Sequence, residues 1–167
     1  PGKVLINRFV GERIFFPKNE GFFISDTFFE VNFPDDSLSG LWTALMNSTL
    51  FYLFAYVHGR VDWSQGPLRL YGPEINSLLL PDVRKISKDY QDKIIKAFEK
   101  ILKRPIKKIS EEVKQKDRQE FDSLVLEALG LEPKDILKKI YVGLVDLVET
   151  RLRLGKMQSV EKKAKKV

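Results

Sequence analysis

The chain has 167 residues, an apolar fraction of 43% and a net charge of +6, which suits one folded domain, with or without a helical appendage, and argues against disorder. It has no cysteine, so disulfide frameworks, thiolate zinc sites and cysteine nucleophiles are excluded, and a cytoplasmic setting is expected. The charge is uneven: residues 1–87 hold 8 Lys/Arg against 9 Asp/Glu, and residues 88–167 hold 21 against 14. The basic excess therefore belongs to the second half, and a basic balance attracts polyanions such as nucleic acid.

The chain begins Pro1-Gly2, with no methionine, and enters a strand-like run at once. That is the pattern expected of a piece cut from a longer polypeptide. Lys3–Phe9 reads as a strand by its β-branched and apolar content, with a turn at Val10-Gly11-Glu12. Arg13–Phe16 reads as a second strand, stopped by Pro17, and Lys18–Gly21 has turn chemistry. Phe22–Ser25 and Thr27–Phe33 continue the meander; Phe29, Val31 and Phe33 alternate with Glu30 and Asn32, as in a strand with one wet face. Pro34–Ser37 breaks the sheet and offers Asp36 or Ser37 as a helix cap.

The run Leu41–Val57 carries no charge and is apolar on nearly every side, apart from Asn47-Ser48-Thr49. A helix of that kind must be covered all round. It is too short and too polar at its middle for a membrane span, which takes about 20 apolar residues, and no N-terminal signal segment precedes it. The expectation is a central core helix over 38–57. His58–Pro67 then reads as a loop, Leu68–Tyr71 as a short strand, and Glu74–Asp82 as a helical turn running into an extended segment.

From Ser87 the period becomes helical. Tyr90, Ile94, Ala97, Phe98, Ile101 and Leu102 form one stripe, ended by Pro105. Asp117-Arg118-Gln119-Glu120 has the side chains of a capping box, opening a helix closed by Gly130. Pro133 suits the first turn of a last helix with Ile136, Ile140, Leu144, Val148 and Leu152 on its inner side. The fold class expected is α+β: a small antiparallel β-sheet region around a central buried helix, followed by a helical C-terminal part. Residues 1–86 form the β-rich region, 87–155 the helical region and 156–167 a basic tail of the kind that is often solvated and frayed.

The chemistry present is that of recognition. The sole histidine, His58, excludes histidine clusters and is expected to cap or pack the end of the core helix. Neither a G-x-G-x-x-G nor a Walker sequence occurs, and the adjacent acids Asp35-Asp36 and Glu111-Glu112 diverge, as on a solvated face or at a helix N-terminus. No active site emerges. The turns and the 58–69 loop instead present Arg8, Arg13, Lys18, Asn19, Arg60, Trp63, Gln65 and Arg69, types that pair with phosphates, guanine edges or adenine. On composition alone the same residues read as ordinary surface polars.

Leu45-Met46-Asn47-Ser48-Thr49-Leu50-Phe51-Tyr52, then Gly66-Pro67-Leu68-Arg69-Leu70 and Leu78-Leu79-Leu80-Pro81-Asp82, follow the strand meander in a familiar order. Together they resemble the C-terminal target-recognition (specificity) region of adenine-N6 DNA methyltransferases and restriction-modification enzymes. Such regions carry an "LNS-x-L-F-(F/Y)" helix, a glycine loop and an "L-x-x-L-P-(I/V)-P-D" segment. Met46 and Leu80 depart from that pattern. Asp117–Asp122 with Leu126–Leu131 is similar to the "D-R-x-x-L-D…L-G-L" helix that follows.

The resemblance implies a region that grips double-stranded DNA beside an upstream methyltransferase domain. That domain would hold S-adenosylmethionine and flip out the adenine. The family's Asn/Asp-Pro-Pro-Tyr/Phe and cofactor-glycine motifs are absent from these residues. On this reading the chain carries no catalytic, cofactor or metal residue. The competing expectation is a protein-interaction or scaffold module whose basic helices dock a partner subunit. A small enzyme in its own right is the weakest of the three, given the empty site inventory.

Overall fold

The computed structural model describes residues 4–33, 35–60 and 68–164, with side chains as far as Met157. The fold is α+β, 59% helical, with two small antiparallel strand pairs. β1 (Val4–Asn7) pairs with β3 (Phe28–Val31), Val4 lying opposite Val31 and Asn7 opposite Phe28. β2 (Phe9–Val10) pairs with β4 (Leu68–Arg69), Phe9 opposite Arg69 and Val10 opposite Leu68.

Two expected strands are irregular instead. Residues 13–18 run beside β1 and touch it by one isolated bridge, Val4 to Lys18, with the Leu5 N–H donating to the Pro17 carbonyl (3.0 Å). Residues 13–16, however, are held by side chains rather than by a ladder. Asn7 Nδ2 donates to the Phe15 carbonyl (2.7 Å), and Asn47 both accepts from the Phe16 N–H (3.0 Å) and donates to the Phe16 carbonyl (2.8 Å). The Tyr52 hydroxyl reaches the Gly11 and Arg13 carbonyls, each at 2.8 Å. Backbone groups engaged in this way are not available to a neighbouring strand. Phe22–Ser25 is not a strand because Asn19 folds the chain before it. Its Oδ1 accepts from the N–H groups of Gly21 and Phe22, and Gly21 sits at φ +105°, a conformation open chiefly to glycine.

The single helix expected over 38–57 is two. α1 (Ser39–Met46) and α2 (Thr49–His58) meet at Asn47-Ser48, the one polar step in the apolar run. Ser48 caps α2 through its Oγ, which accepts from the Phe51 N–H, and serine is a favoured N-cap. The spine expectation otherwise holds. Leu41, Ala44, Leu45, Met46, Phe51, Tyr52, Ala55 and Tyr56 are all buried, though Val57 is 64% exposed. Among the described residues no helix is long and apolar enough to cross a membrane.

The spine divides the interior. α1 packs Leu41, Ala44 and Leu45 with Ile94, Ala97, Phe98 and Ile101 of α4 (Lys88–Leu102) and with Phe121 and Val125 of α6 (Lys116–Ala128). α2 packs Phe51, Tyr52, Ala55 and Tyr56 with Val4, Ile6, Val10, Leu68 and Leu70 of the strands and with Leu144 and Val148 of α7 (Pro133–Ala164). Hydrophobic burial thus runs across the expected boundary at residue 86. α3 (Gly72–Asn76) and α5 (Ile109–Glu112) are short connectors. Gly130, at φ +74°, closes α6 as expected. Its N–H reaches the Glu127 carbonyl and that of Leu131 the Leu126 carbonyl, the paired bonds of a Schellman cap. The backbone of the basic tail continues α7 as far as Ala164.

A buried ionic cluster locks the break in the spine. Arg118 Nη1 donates to the Asn47 carbonyl (2.8 Å) and its Nε to Glu112 (3.1 Å); Arg104 pairs with both Glu112 and Asp117. Asp122 accepts from the Thr49 N–H and the Tyr141 hydroxyl, each at 3.0 Å. Two sequence expectations fall here. Asp117 is an ion-pair partner of Arg104 while Gln115 takes the N-cap position, so the capping box does not form. Glu111 and Glu112 do lie in the first turn of a helix, α5, as one of the two expectations had it, but Glu112 is fully buried and not on a solvated face.

Burial pushes the Glu112 carboxyl up, but Arg104 and Arg118 prevail and hold it below its ordinary 4.5. A depressed carboxylate stabilises the fold above its unfolded value, and that stability is lost as pH falls through the folded value. Asp122, raised by complete burial, acts in the opposite sense. Stability measured by urea unfolding should fall more steeply with acidification below about pH 4.5 in the native chain than in Glu112→Gln. Arg118→Met should cost roughly 3–5 kcal/mol at pH 7, because it removes one of the two arginines of Glu112 and the ionic neighbour, 3.8 Å away, of the buried Asp122.

Candidate nucleic-acid interface

The outer face of the β2–β4 ribbon gathers the cationic side chains. Leu68 and Leu70 alternate inward into the core with Val10, so Arg69 and Tyr71 point outward. Arg60 extends the ribbon by one row: its N–H donates to the Arg69 carbonyl (2.8 Å), and the Arg69 N–H donates back (2.9 Å). Cross-strand partners share a face, which brings Phe9, Arg69, Arg60 and Tyr71 together. The Arg69 guanidinium lies 5.3 Å from the Phe9 ring centroid and donates to the Tyr71 hydroxyl (3.2 Å). That of Arg60 lies 5.9 Å from the Tyr71 ring, and its Nε is bonded to Glu74.

Glu74 is built into the start of α3. Its Oε2 accepts from the Tyr71 N–H (3.1 Å), closing the turn that Gly72-Pro73 begins. Burial raises the Glu74 carboxyl, but the Arg60 and backbone hydrogen bonds hold it below the usual carboxylate range. Arg8 sits one residue before this row, 5.4 Å from the Phe29 ring and 3.8 Å from Asp26. Three of the arginines expected at a recognition surface are therefore each laid against an aromatic ring.

Arg13 and Lys18 lie elsewhere, on the 13–18 segment. Arg13 donates to the Ile106 carbonyl (3.0 Å), and Lys18 stands at the rim of an apolar groove of about 480 Å³ between that segment and α4, with Phe15, Phe98 and Leu102 among its lining. Asn19 departs from expectation. It is buried, and both ends of its amide are engaged within its own turn, so it shapes the loop that exposes Phe22 and Phe23 and does not present a free edge. Trp63 and Gln65 lie outside the described residues. His58 bonds the Phe54 carbonyl at the end of α2 (2.9 Å), and among the described residues no group of three His, Cys, Asp or Glu could hold a metal ion.

Sequence reasoning missed Phe9, Tyr71 and Glu74. The alternation Leu68-Arg69-Leu70-Tyr71 already places Tyr71 beside Arg69, and that signal was available. Glu74 is visible only once α3 folds back on Arg60.

Gly59 sets the height of the ribbon over α2. A Cβ there would lie 2.6 Å from the Leu68 side chain, which is itself buried, and 3.0 Å from the Ala55 carbonyl. Gly59→Ala should destabilise the fold by about 1–3 kcal/mol, the usual cost of overpacking, measured as a shift in urea midpoint.

Comparison of the chain with family models, with curated proteins and with solved structures gives no match in any of the three.

Proposed function

We propose that the chain is a non-catalytic, DNA-binding target-recognition region of a site-specific adenine-N6 DNA methyltransferase of the restriction-modification kind, working in the cytoplasm. The observation that carries this reading is the arginine–aromatic face of Arg60, Arg69, Phe9 and Tyr71, set on a short ribbon whose other side is anchored in the core. Arginine supplies phosphate and base-edge donors, and loops and strand ends on a rigid scaffold are where such contacts sit. The net charge of +6 adds long-range attraction for duplex DNA. Catalysis and S-adenosylmethionine belong to an upstream methyltransferase domain in this scheme, and the present residues position the duplex beside it.

Two of the stretches that carry the family resemblance also support it. The Asn47-Ser48 step and the Arg118–Asp122 run meet in the buried cluster, so their pattern has a shared structural cause in this chain.

Duplex binding tests the proposal. Affinity should fall steeply with salt, the slope of log K against log salt reporting about 0.9 per phosphate neutralised. Arg60→Ala and Arg69→Ala should each weaken binding severalfold more than Lys138→Ala on the exposed side of α7. Equal losses, or no duplex binding at low salt, would favour a scaffold that docks a protein partner.

A further inference from the structure

Arg60 differs from its neighbours in how it is held. Glu74 takes its Nε, Tyr71 lies under its guanidinium, and its main chain is paired in both directions with Arg69. Glu74 is in turn fixed by the Tyr71 N–H and is 9% exposed, whereas the Arg60 side chain is 60% exposed. Both Nη groups are without a partner among the described residues.

Two physical consequences follow. The planar donor edge of the guanidinium is oriented before any ligand arrives, so little rotamer freedom remains to be lost on binding. Its charge is also largely cancelled by Glu74, which weakens its attraction for a phosphate and the counterion release that such a contact yields. A fixed, charge-compensated fork suits a neutral acceptor pair with matching spacing, and guanine O6 and N7 in the major groove are such a pair.

We infer that Arg60 reads a guanine through its Nη edge, with Glu74 as the positioning residue that orients it. This rests on the DNA-binding function proposed above and adds a base class to it. A phosphate contact at Arg60 is the competing outcome.

The test uses the full chain and duplexes selected by it from a randomised pool, titrated over a salt series. The native chain should show a guanine preference, and replacing that guanine by 7-deazaguanine should weaken binding about tenfold or more, in the range of a lost bidentate contact. Arg60→Ala and Arg60→Lys should abolish the preference at that position, leave the salt slope unchanged and become indifferent to 7-deazaguanine. Glu74→Gln should blunt the same preference although Arg60 is still present. Should Arg60→Ala weaken all duplexes alike and lower the salt slope by about one contact, the inference is overturned in favour of a phosphate. Duplex binding with no guanine preference overturns it and leaves the proposed function standing, whereas absence of any duplex binding removes both. If a variant loses its helical circular dichroism, the 7-deazaguanine comparison on the native chain decides alone.

Discussion

The fold depends on how the polar step Asn47-Ser48 is satisfied in a dry interior. An apolar rod broken at its middle exposes backbone groups that water cannot reach, and each must find a partner. Here the Asn47 carbonyl is taken by Arg118, the Thr49 N–H by Asp122, and the Asn47 amide by both backbone groups of Phe16. Two distant parts of the chain, the segment at Phe16 and α6, are thereby tied to one point. A buried charge cluster is costly unless every member is paired, and here Glu112 faces two arginines, one of which also engages Asp117.

That junction also explains why the hydrophobic interior comes in two parts. α1 and α2 are separate rods with largely different neighbours, though Met46 of α1 joins the cluster around α2 and Trp42 packs against both. α1 belongs to the α4–α6 side, and α2 to the strands and α7. The ribbon that carries Arg60 and Arg69 rests on α2 through Leu68, Leu70 and Val10. The candidate interface is therefore supported by the same element whose start is capped at Ser48. Disturbing the cluster should be felt at the ribbon as well as in overall stability.

Much of this was legible in the residues. The α+β class, the buried spine, the Pro133 start of α7 and the Gly130 end of α6 all follow from periodicity and cap chemistry. Three things did not. The spine reads as one helix because an uncharged run with one polar step has the same period whether or not it breaks there. Arg13–Phe16 reads as a strand because strand propensity cannot register that Asn47 and Tyr52, more than 30 residues away, engage its backbone. Asp117 reads as a capping-box residue and Glu112 as one of a solvated or helix-N-terminal pair, because short-range patterns in a sequence do not register the distant arginines that engage both. Of the recognition residues, the ribbon arginines do come together, whereas Asn19 serves its own turn.

On the ribbon, the inward residues Val10, Leu68 and Leu70 are deeply buried, while Phe9, Arg60, Arg69 and Tyr71 on the opposite face touch one another and solvent. Because strand geometry separates these two sets, the outward set can be rewritten without repacking the apolar core beneath it, provided the Arg60–Glu74 pair is kept or exchanged together. A lineage built on this chain could change what it selects through a few surface exchanges, while the load on the interior stays constant.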